Sequence, residues 1–577
     1  MTRPSTSSAD PLLAPSGATH ETNYVTFVAS KFGLDKASAL VRAGVGFTLA
    51  AVLVLILREA WIADNRMNVI LMLSNHPSNH PGFCAKVSDG FGPASETLAR
   101  NYNAHVNGFG ASAVLPLDSI LVGASRTRSS DSFVTDSAAG ATAFACALKT
   151  YNGAIGVDPD QRPCGSVLEA AKLHGYLTGH VSTSRVTHAT PASFTSHVID
   201  RDMEDEIAMQ QIGNYTLGRM ADVIFGGGSC HFKPQSAGPA ESCRLDDMNL
   251  LELGTSQYGW NVIENVDKFR GEVLKLPVLG LFTADHMSYE IDRNAKKEPS
   301  LKEMALKALH LLNEGSKKKR RGFFIMIEGS RIDMAAHTND PAAHVREILA
   351  YNEAIAAVID WVNTHPNTVM ISVSDHETGG LSVAHQLNGS YPVYNWYPEV
   401  LLPVQNSAEF LASILAAYPD KEDIAAFTQY VQNMIETKLG VHDATPVEVD
   451  RVVRGDFAYG LSQIVSDRAG LGWATHGHSA VDVNLYAHGH KSGELRGNHE
   501  NTDIGKFIER TMGIDLSTVT AKLLGGSGKA WWDRVIDGFK VRSNMKKSDK
   551  KGQSNPATGN TSSAFAEIHY HKGGNLV

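Results

Sequence analysis

Five cysteines in 577 residues and no surplus of positive charge narrow the possibilities before any motif is read. Lysine and arginine total 52 against 61 acidic residues, giving a net charge of −9 and an isoelectric point near 6.2. This balance excludes a broadly nucleic-acid-binding surface and leaves phosphate recognition to local pockets. Solenoid repeats are absent; the one duplication is Ser74-Asn-His-Pro followed by Ser78-Asn-His-Pro. The uncharged, mostly apolar stretch Ala43 to Leu57 lies between Arg42 and Arg58, and it falls short of a spanning length of about 20 residues unless those arginines snorkel. It follows a long polar segment and lacks a small-x-small cleavage site, so it reads as an uncleaved signal anchor rather than a removed signal peptide.

Arg3, Lys31, Lys36 and Arg42 precede that stretch, whereas Arg58 and Arg66 after it are offset by Glu59 and Asp64. The asymmetry makes 1–42 a cytoplasmic polar tail, 43–63 a transmembrane anchor with a short stalk, and 64–540 a lumenal domain. With 43% hydrophobic and 20% charged residues, that domain can bury one large core. The lysine-, glycine- and serine-containing end, 541–577, has no core pattern and is expected to be disordered. Cys146 and Cys164 bracket one short loop and Cys230 and Cys243 another, spacings that suit two disulfides in an oxidising lumen; Cys84 has no obvious partner. Asn214-Tyr-Thr, Asn388-Gly-Ser and Asn560-Thr-Ser are glycosylation acceptors if the domain is lumenal.

Apolar, β-branched runs alternate with helical stretches from Asn68 onward: Val223-Ile-Phe-Gly-Gly-Gly, Gly322 to Glu328 and Thr368 to Asp375 read as strands, Leu301 to Glu314 and Ala343 to Val362 as helices. The pattern predicts an α/β fold with a large, mostly parallel sheet sandwiched between helices. Ligands of such sheets gather beyond the strand carboxyl ends, where Glu328 and Asp375 fall.

Four patches carry the chemistry: Asp89; Glu328, Asp333 and His337; Asp375 and His376; and His478. If the segment after Gly329 is helical, Asp333 and His337 share one face and can bind one ion while Glu328 points to another. This mixture of carboxylates and imidazoles suits a multinuclear zinc and magnesium site. Ser137, in Thr135-Asp-Ser-Ala-Ala, opens a helix of small residues; either Asp136 or Ser137 merely caps that helix, or Ser137 is a nucleophile beside an anion-binding helix start. Together the patches point to metal-assisted phosphoryl transfer.

At this point the chain resembles the alkaline phosphatase family, and within it the membrane-anchored fungal vacuolar branch. The matching stretches are Val87 to Ser95, Thr135 to Thr142, Ser182 to Pro191, Glu328 to Asp333 with His337, Ser374 to Gly380, and Thr475 to Val483. The resemblance implies Ser137 as nucleophile, with Asp89, Asp375 and His376 on one zinc and Asp333, His337 and His478 on the other. His478 is preferred to His476 because it directly precedes Ser-Ala-Val-Asp-Val. Asp89 would also bridge to a magnesium completed by Thr190 and Glu328, and Arg201 would bind two phosphate oxygens, with Arg185 as the alternative. Two zinc ions and one magnesium per chain, phosphate monoester substrates, a homodimer and a single-pass type II protein of the vacuole membrane are its further implications. Rival readings are a related phosphodiesterase or sulfatase, and a non-catalytic membrane protein with a structural or disabled metal site. A sulfatase lacks support, because Ser137 is not in a Cys/Ser-x-Pro-x-Arg context.

Three departures stand out. His188, where some bacterial members have aspartate, joins the candidate magnesium ligands, and Met334 stands where other branches place lysine or histidine. Relatives run directly from a strand like Asn68 to Met72 into one like Val87 to Asp89, whereas here Leu73 to Lys86 intervene, with Pro77 and Pro81 among them. The segment is either a genuine inserted loop or translated intron sequence, and in the first case it threatens the placement of Asp89.

Overall fold

The computed structural model describes residues 68–69, 83–319, 321–387, 389 and 391–552, with side chains left out at 68–69, 83–86, 319 and 541–552. The expected cytoplasmic tail, the anchor and the sequons at Asn388 and Asn560 lie outside the described residues. Among the described residues, no helix is long and apolar enough to cross a membrane.

Strand-forming runs become buried strands wherever they are apolar throughout. Phe323–Glu328 (β8) and Thr368–Val373 (β9) are buried at every position, as a central strand covered on both faces requires. They belong to an 11-stranded sheet with Asn68–Val69 (β1), Phe83–Val87 (β2), Leu121–Arg126 (β3), Leu177–Arg185 (β4), Val223–Gly227 (β5), Asn261–Ile263 (β6), Val278–Leu281 (β7), Val483–Gly489 (β12) and Gly497–Glu500 (β13). The order is β13-β3-β12-β9-β1-β8-β4-β5-β7-β6, with β2 also paired to β9. Pairing is parallel except at β12, which runs antiparallel to β9 and β3. A separate ribbon joins Glu377–Thr378 (β10) to His478–Ser479 (β11).

Helices Leu301–Lys319 and Pro341–Thr364 pack together against the sheet, and Ser137–Cys146, Ala189–Thr195 and Asn501–Met512 form another packed group. The second of these helices starts two residues earlier than periodicity indicates. Asp340 accepts hydrogen bonds from the Ala342 and Ala343 amides and Pro341 occupies the first turn, a start that the apolar spacing does not register.

Two boundaries need correction. Phe83–Lys86, assigned above to the intervening segment, belongs to β2, which pairs with β9 from Phe83↔Val369 to Val87↔Val373. The Ser88 amide then donates to the Val373 carbonyl at 3.1 Å, so Asp89 leaves the sheet in register despite the interruption. Of the tail expected to be disordered, 541–552 continues the helix Ser527–Gly552, where lysines, good helix formers, follow a buried Trp531, Trp532 and Val535 face; 553–577 lies outside the described residues. Cys146 and Cys164, with Cα atoms 6.0 Å apart, and Cys230 and Cys243, 4.9 Å apart, pair as disulfides.

Candidate active site

The parallel strands end in the residues that build the site. Asp89 follows β2, Glu328 ends β8, and Asp375 and His376 follow β9; Arg331–His337 is the short helix expected after Glu328 and carries Asp333 and His337 one turn apart. Ser137 is the first residue of its helix and only 2% exposed, with Asp136 as the cap accepting from the Ala139 amide at 2.9 Å. The small residues of that helix allow close approach: a Cβ on Gly140 would come within 2.9 Å of the Asp375 Cβ. Asp136 is therefore the cap of this helix, and the adjacent serine lies among the ligand-type side chains.

Ser137 Oγ lies 3.0 Å from His376 Nε2 and donates to Asp89 Oδ1 at 3.3 Å. His376 Nε2 is 3.3 Å from Asp375 Oδ2 and 3.4 Å from Asp89 Oδ1. On the other side, His337 Nε2 lies 3.2 Å from Asp333 Oδ2 and 3.2 Å from His478 Nε2, which is 3.7 Å from Asp333 Oδ1. Three groups of potential ligand atoms each gather within 4.8 Å: Asp333, His337 and His478; Asp89, Asp333 and His376; and Asp89, His188 and Glu328. Glu328 faces the Ser330, Thr190 and Ser184 hydroxyls, the last at 3.3 Å. A fourth group, Cys230, His231 and Cys243, offers no thiolate because the two sulfurs are bonded to each other.

Charge explains why these groups call for cations. Burial, then repulsion from Asp375, Asp333 and Glu328, pushes Asp89 well above the usual carboxylate range; burial does the same to Asp375 and lifts Glu328 to about 7. For Asp333, burial is outweighed by His337, His478 and His376, which hold it well below its usual value. Burial drives His376 well down and His478 to about 4, whereas at His337 burial is outweighed by the adjacent Asp333, which raises the imidazole. Asp89 Oδ2, Glu328 Oε1 and Asp375 Oδ2 are buried acceptors without a hydrogen-bond donor, and the Nε2 atoms of His337 and His478 face each other 3.2 Å apart beside Asp333. Buried anionic oxygens and converging lone pairs fit multivalent cations.

The alternatives left open by the sequence separate here. Arg201 donates to Asp136 Oδ2 at 3.2 Å and approaches His188 Nε2 at 3.0 Å, beside the turn that carries Ser137. Arg185 is instead held by both Glu204 oxygens at 2.9 Å and by Asp285 at 2.7 Å. His478 points into the cluster with its Nδ1 on the Thr135 carbonyl at 2.7 Å, whereas His476 turns its ring edge onto Tyr459, 4.4 Å between centroids. Met334 contacts the Arg331 guanidinium through its sulfur at 2.9 Å.

Two side chains touching the site do more than the sequence reading assigned them: Asp136, read only as a candidate cap, also joins Arg201 and the Gly153 amide, and Thr378, given no role, donates its hydroxyl to Asp333 Oδ1. Both lie inside the motifs, beside the chosen residues, and polar character next to a ligand was the available signal.

A buried serine ringed by carboxylates and imidazoles at the carboxyl edge of this sheet defines a metal-dependent hydrolase of phosphate esters. The alkaline phosphatase family model matches residues 85–514, and the chain is 48% identical to the repressible alkaline phosphatase of Saccharomyces cerevisiae over 462 residues, 75% of this chain and 81% of that protein. The chain belongs to the alkaline phosphatase family, whose members are metal-dependent phosphomonoesterases. It is also 46% identical to the alkaline phosphatase of Schizosaccharomyces pombe over 444 residues, 76% of this chain and 82% of that one. The Thermus thermophilus alkaline phosphatase structure superposes with a TM-score of 0.65 at 28% identity, covering 79% of this chain and 94% of that chain.

Proposed function

We propose that Ser137 is the nucleophile of a two-step phosphomonoesterase that passes through a phosphoserine, with Asp89, Asp375 and His376 on one zinc, Asp333, His337 and His478 on a second, and Asp89, Glu328, Thr190 and His188 around one magnesium. The observation that carries this reading is the surroundings of Ser137 Oγ, 3.0 Å from His376 Nε2 and 3.3 Å from Asp89. Groups of ligand type, rather than one isolated histidine base, receive the hydroxyl proton. When bound, the cations supply Lewis acidity that lowers the pKa of a coordinated hydroxyl or water and offsets charge on the leaving oxygen.

The chain's own residues supply position. Ser137 sits at a helix start, where the dipole favours a phosphate dianion. Asp136 holds Arg201 beside it, so the guanidinium fork meets phosphate oxygens without first being immobilised. Attack by Ser137 releases the alcohol and leaves a phosphoserine; water then attacks phosphorus from the vacated side and Ser137 departs with its proton restored.

The same proposal places 43–63 in the vacuole membrane as a type II anchor, with the domain lumenal, glycosylated, disulfide-bonded and dimeric. Its support is the charge asymmetry around 43–57, the two cysteine pairs and the fungal relatives. The deciding experiment is hydrolysis of p-nitrophenyl phosphate at alkaline pH with zinc and magnesium supplied, alongside labelling by radioactive inorganic phosphate. Wild type should turn over and take label on Ser137, and Ser137→Ala should do neither. Full turnover by Ser137→Ala would overturn the reading.

A further inference from the structure

Thr378 is fully buried as the second residue of β10 and is fixed by its backbone from two sides. It pairs with His478 across the ribbon, and its amide donates to the Gly90 carbonyl at 3.3 Å. Gly90, with φ +71, lies so close that a Cβ there would come 2.6 Å from the Asp333 Cα. The Thr378 side chain thus has little freedom, and its hydroxyl meets one residue from each proposed zinc group: it donates to Asp333 Oδ1 and lies 3.2 Å from His376 Nδ1.

A hydroxyl has one proton to give. A carboxylate oxygen only accepts, so the proton lies toward Asp333. The oxygen lone pair left facing His376 is then satisfied only by an Nδ1–H. A neutral imidazole protonated at Nδ1 presents its lone pair at Nε2, the nitrogen 3.0 Å from Ser137 Oγ and 3.3 Å from Asp375.

We propose that Thr378 is a positioning residue that couples the two groups, orienting Asp333 while fixing His376 in the tautomer whose Nε2 can take a cation. The proposal rests on the ligand assignment above. Outer partners that orient metal ligands typically contribute about 10- to 100-fold to metal affinity.

Zinc retained per chain during a graded chelator titration is the readout, independent of turnover, for Thr378→Val, Thr378→Ser and, as a control on the ligand assignment, His376→Ala. Thr378→Val keeps the shape and removes the hydroxyl; it should hold zinc about 10- to 100-fold more weakly. Thr378→Ser keeps the hydroxyl and removes the methyl, and should bind zinc like wild type. Wild-type affinity in the valine variant, or equal weakness in the serine and valine variants, would overturn the proposal. If the valine variant does not fold, Thr378→Ala carries the same comparison with serine. Zinc affinity unchanged by His376→Ala would instead refute the ligand assignment.

Discussion

Val69 and Phe83 align with the same residue, Val369 of β9, although fourteen positions separate them in the chain. β1 and β2 therefore address one slot in the sheet. A chain joined from Met72 to Val87 and kept in the β1 register would bring Val87 to Val373, where β2 already meets it. Because the interval is even, side chains keep their faces. By composition alone the apolar run Val-Ile-Leu-Met suits a doubly covered strand. Deleting Leu73 to Lys86 should therefore leave p-nitrophenyl phosphate turnover intact and raise the Tm. A folded but inactive deletion variant would refute the shared slot.

His337 and His476 hold each other reciprocally: the His337 Nδ1 faces the His476 carbonyl and the His476 Nδ1 faces the His337 carbonyl at 2.8 Å. His476→Ala keeps the carbonyl that the His337 ring meets and removes only the imidazole contact to the His337 backbone, so zinc binding should weaken by no more than about 10-fold, the lower end for an outer partner. His478→Ala, losing a direct ligand, should lose one zinc equivalent and most turnover while retaining the fold. Metal analysis after dialysis distinguishes the two; equal losses would argue that both rings bind zinc.

How much was legible follows from where the information resides. β8 and β9 are continuous apolar runs ending in Glu328 and Asp375, so strand, carboxyl edge and ligand could be read together. Asp333 and His337 followed from helical spacing. Thr378 was not legible as a partner of Asp333, 45 positions away, because that contact depends on the β10–β11 ribbon, whose two-residue strands leave no periodic trace. Phe83–Lys86 was assigned to the intervening segment because Pro77 and Pro81 argue against a central strand there, while tertiary pairing with β9 begins just beyond them at Phe83.

Arg201 and Arg185 should fail in different ways. Arg201→Ala removes a charged donor beside Ser137, worth about 1.5–3 kcal/mol, so inhibition by inorganic phosphate should weaken roughly 10- to 100-fold, with a smaller loss of Tm than Arg185→Ala because the buried Asp136 keeps its Ala139 and Gly153 amide donors. Arg185→Ala strands Glu204, which Arg185 now meets through two hydrogen bonds, and should cost about 3–5 kcal/mol of stability with phosphate affinity retained. Phosphate inhibition and thermal melting on both variants test the assignment; an Arg185→Ala protein that melts normally but binds phosphate poorly would reverse it.

Glu96, buried in the helix Pro93–Val106, links stability to pH away from the metal cluster. Burial, then the charge of Asp118, pushes its carboxyl from the ordinary 4.5 up to about 8, against the partial relief of Arg100 and Asn352. Between those values the folded protein keeps a proton that the unfolded chain has released, so stability falls as pH rises through the window and the penalty is complete above about 8. Glu96→Gln cannot ionise and escapes that fall. Relative to wild type, its stability should improve from pH 5 to pH 9 by on the order of a few kcal/mol, whatever constant cost the amide incurs inside the fold. Thermal melts of both proteins at the two pH values measure the difference directly, and a gap that does not change with pH would show that Glu96 is ionised throughout.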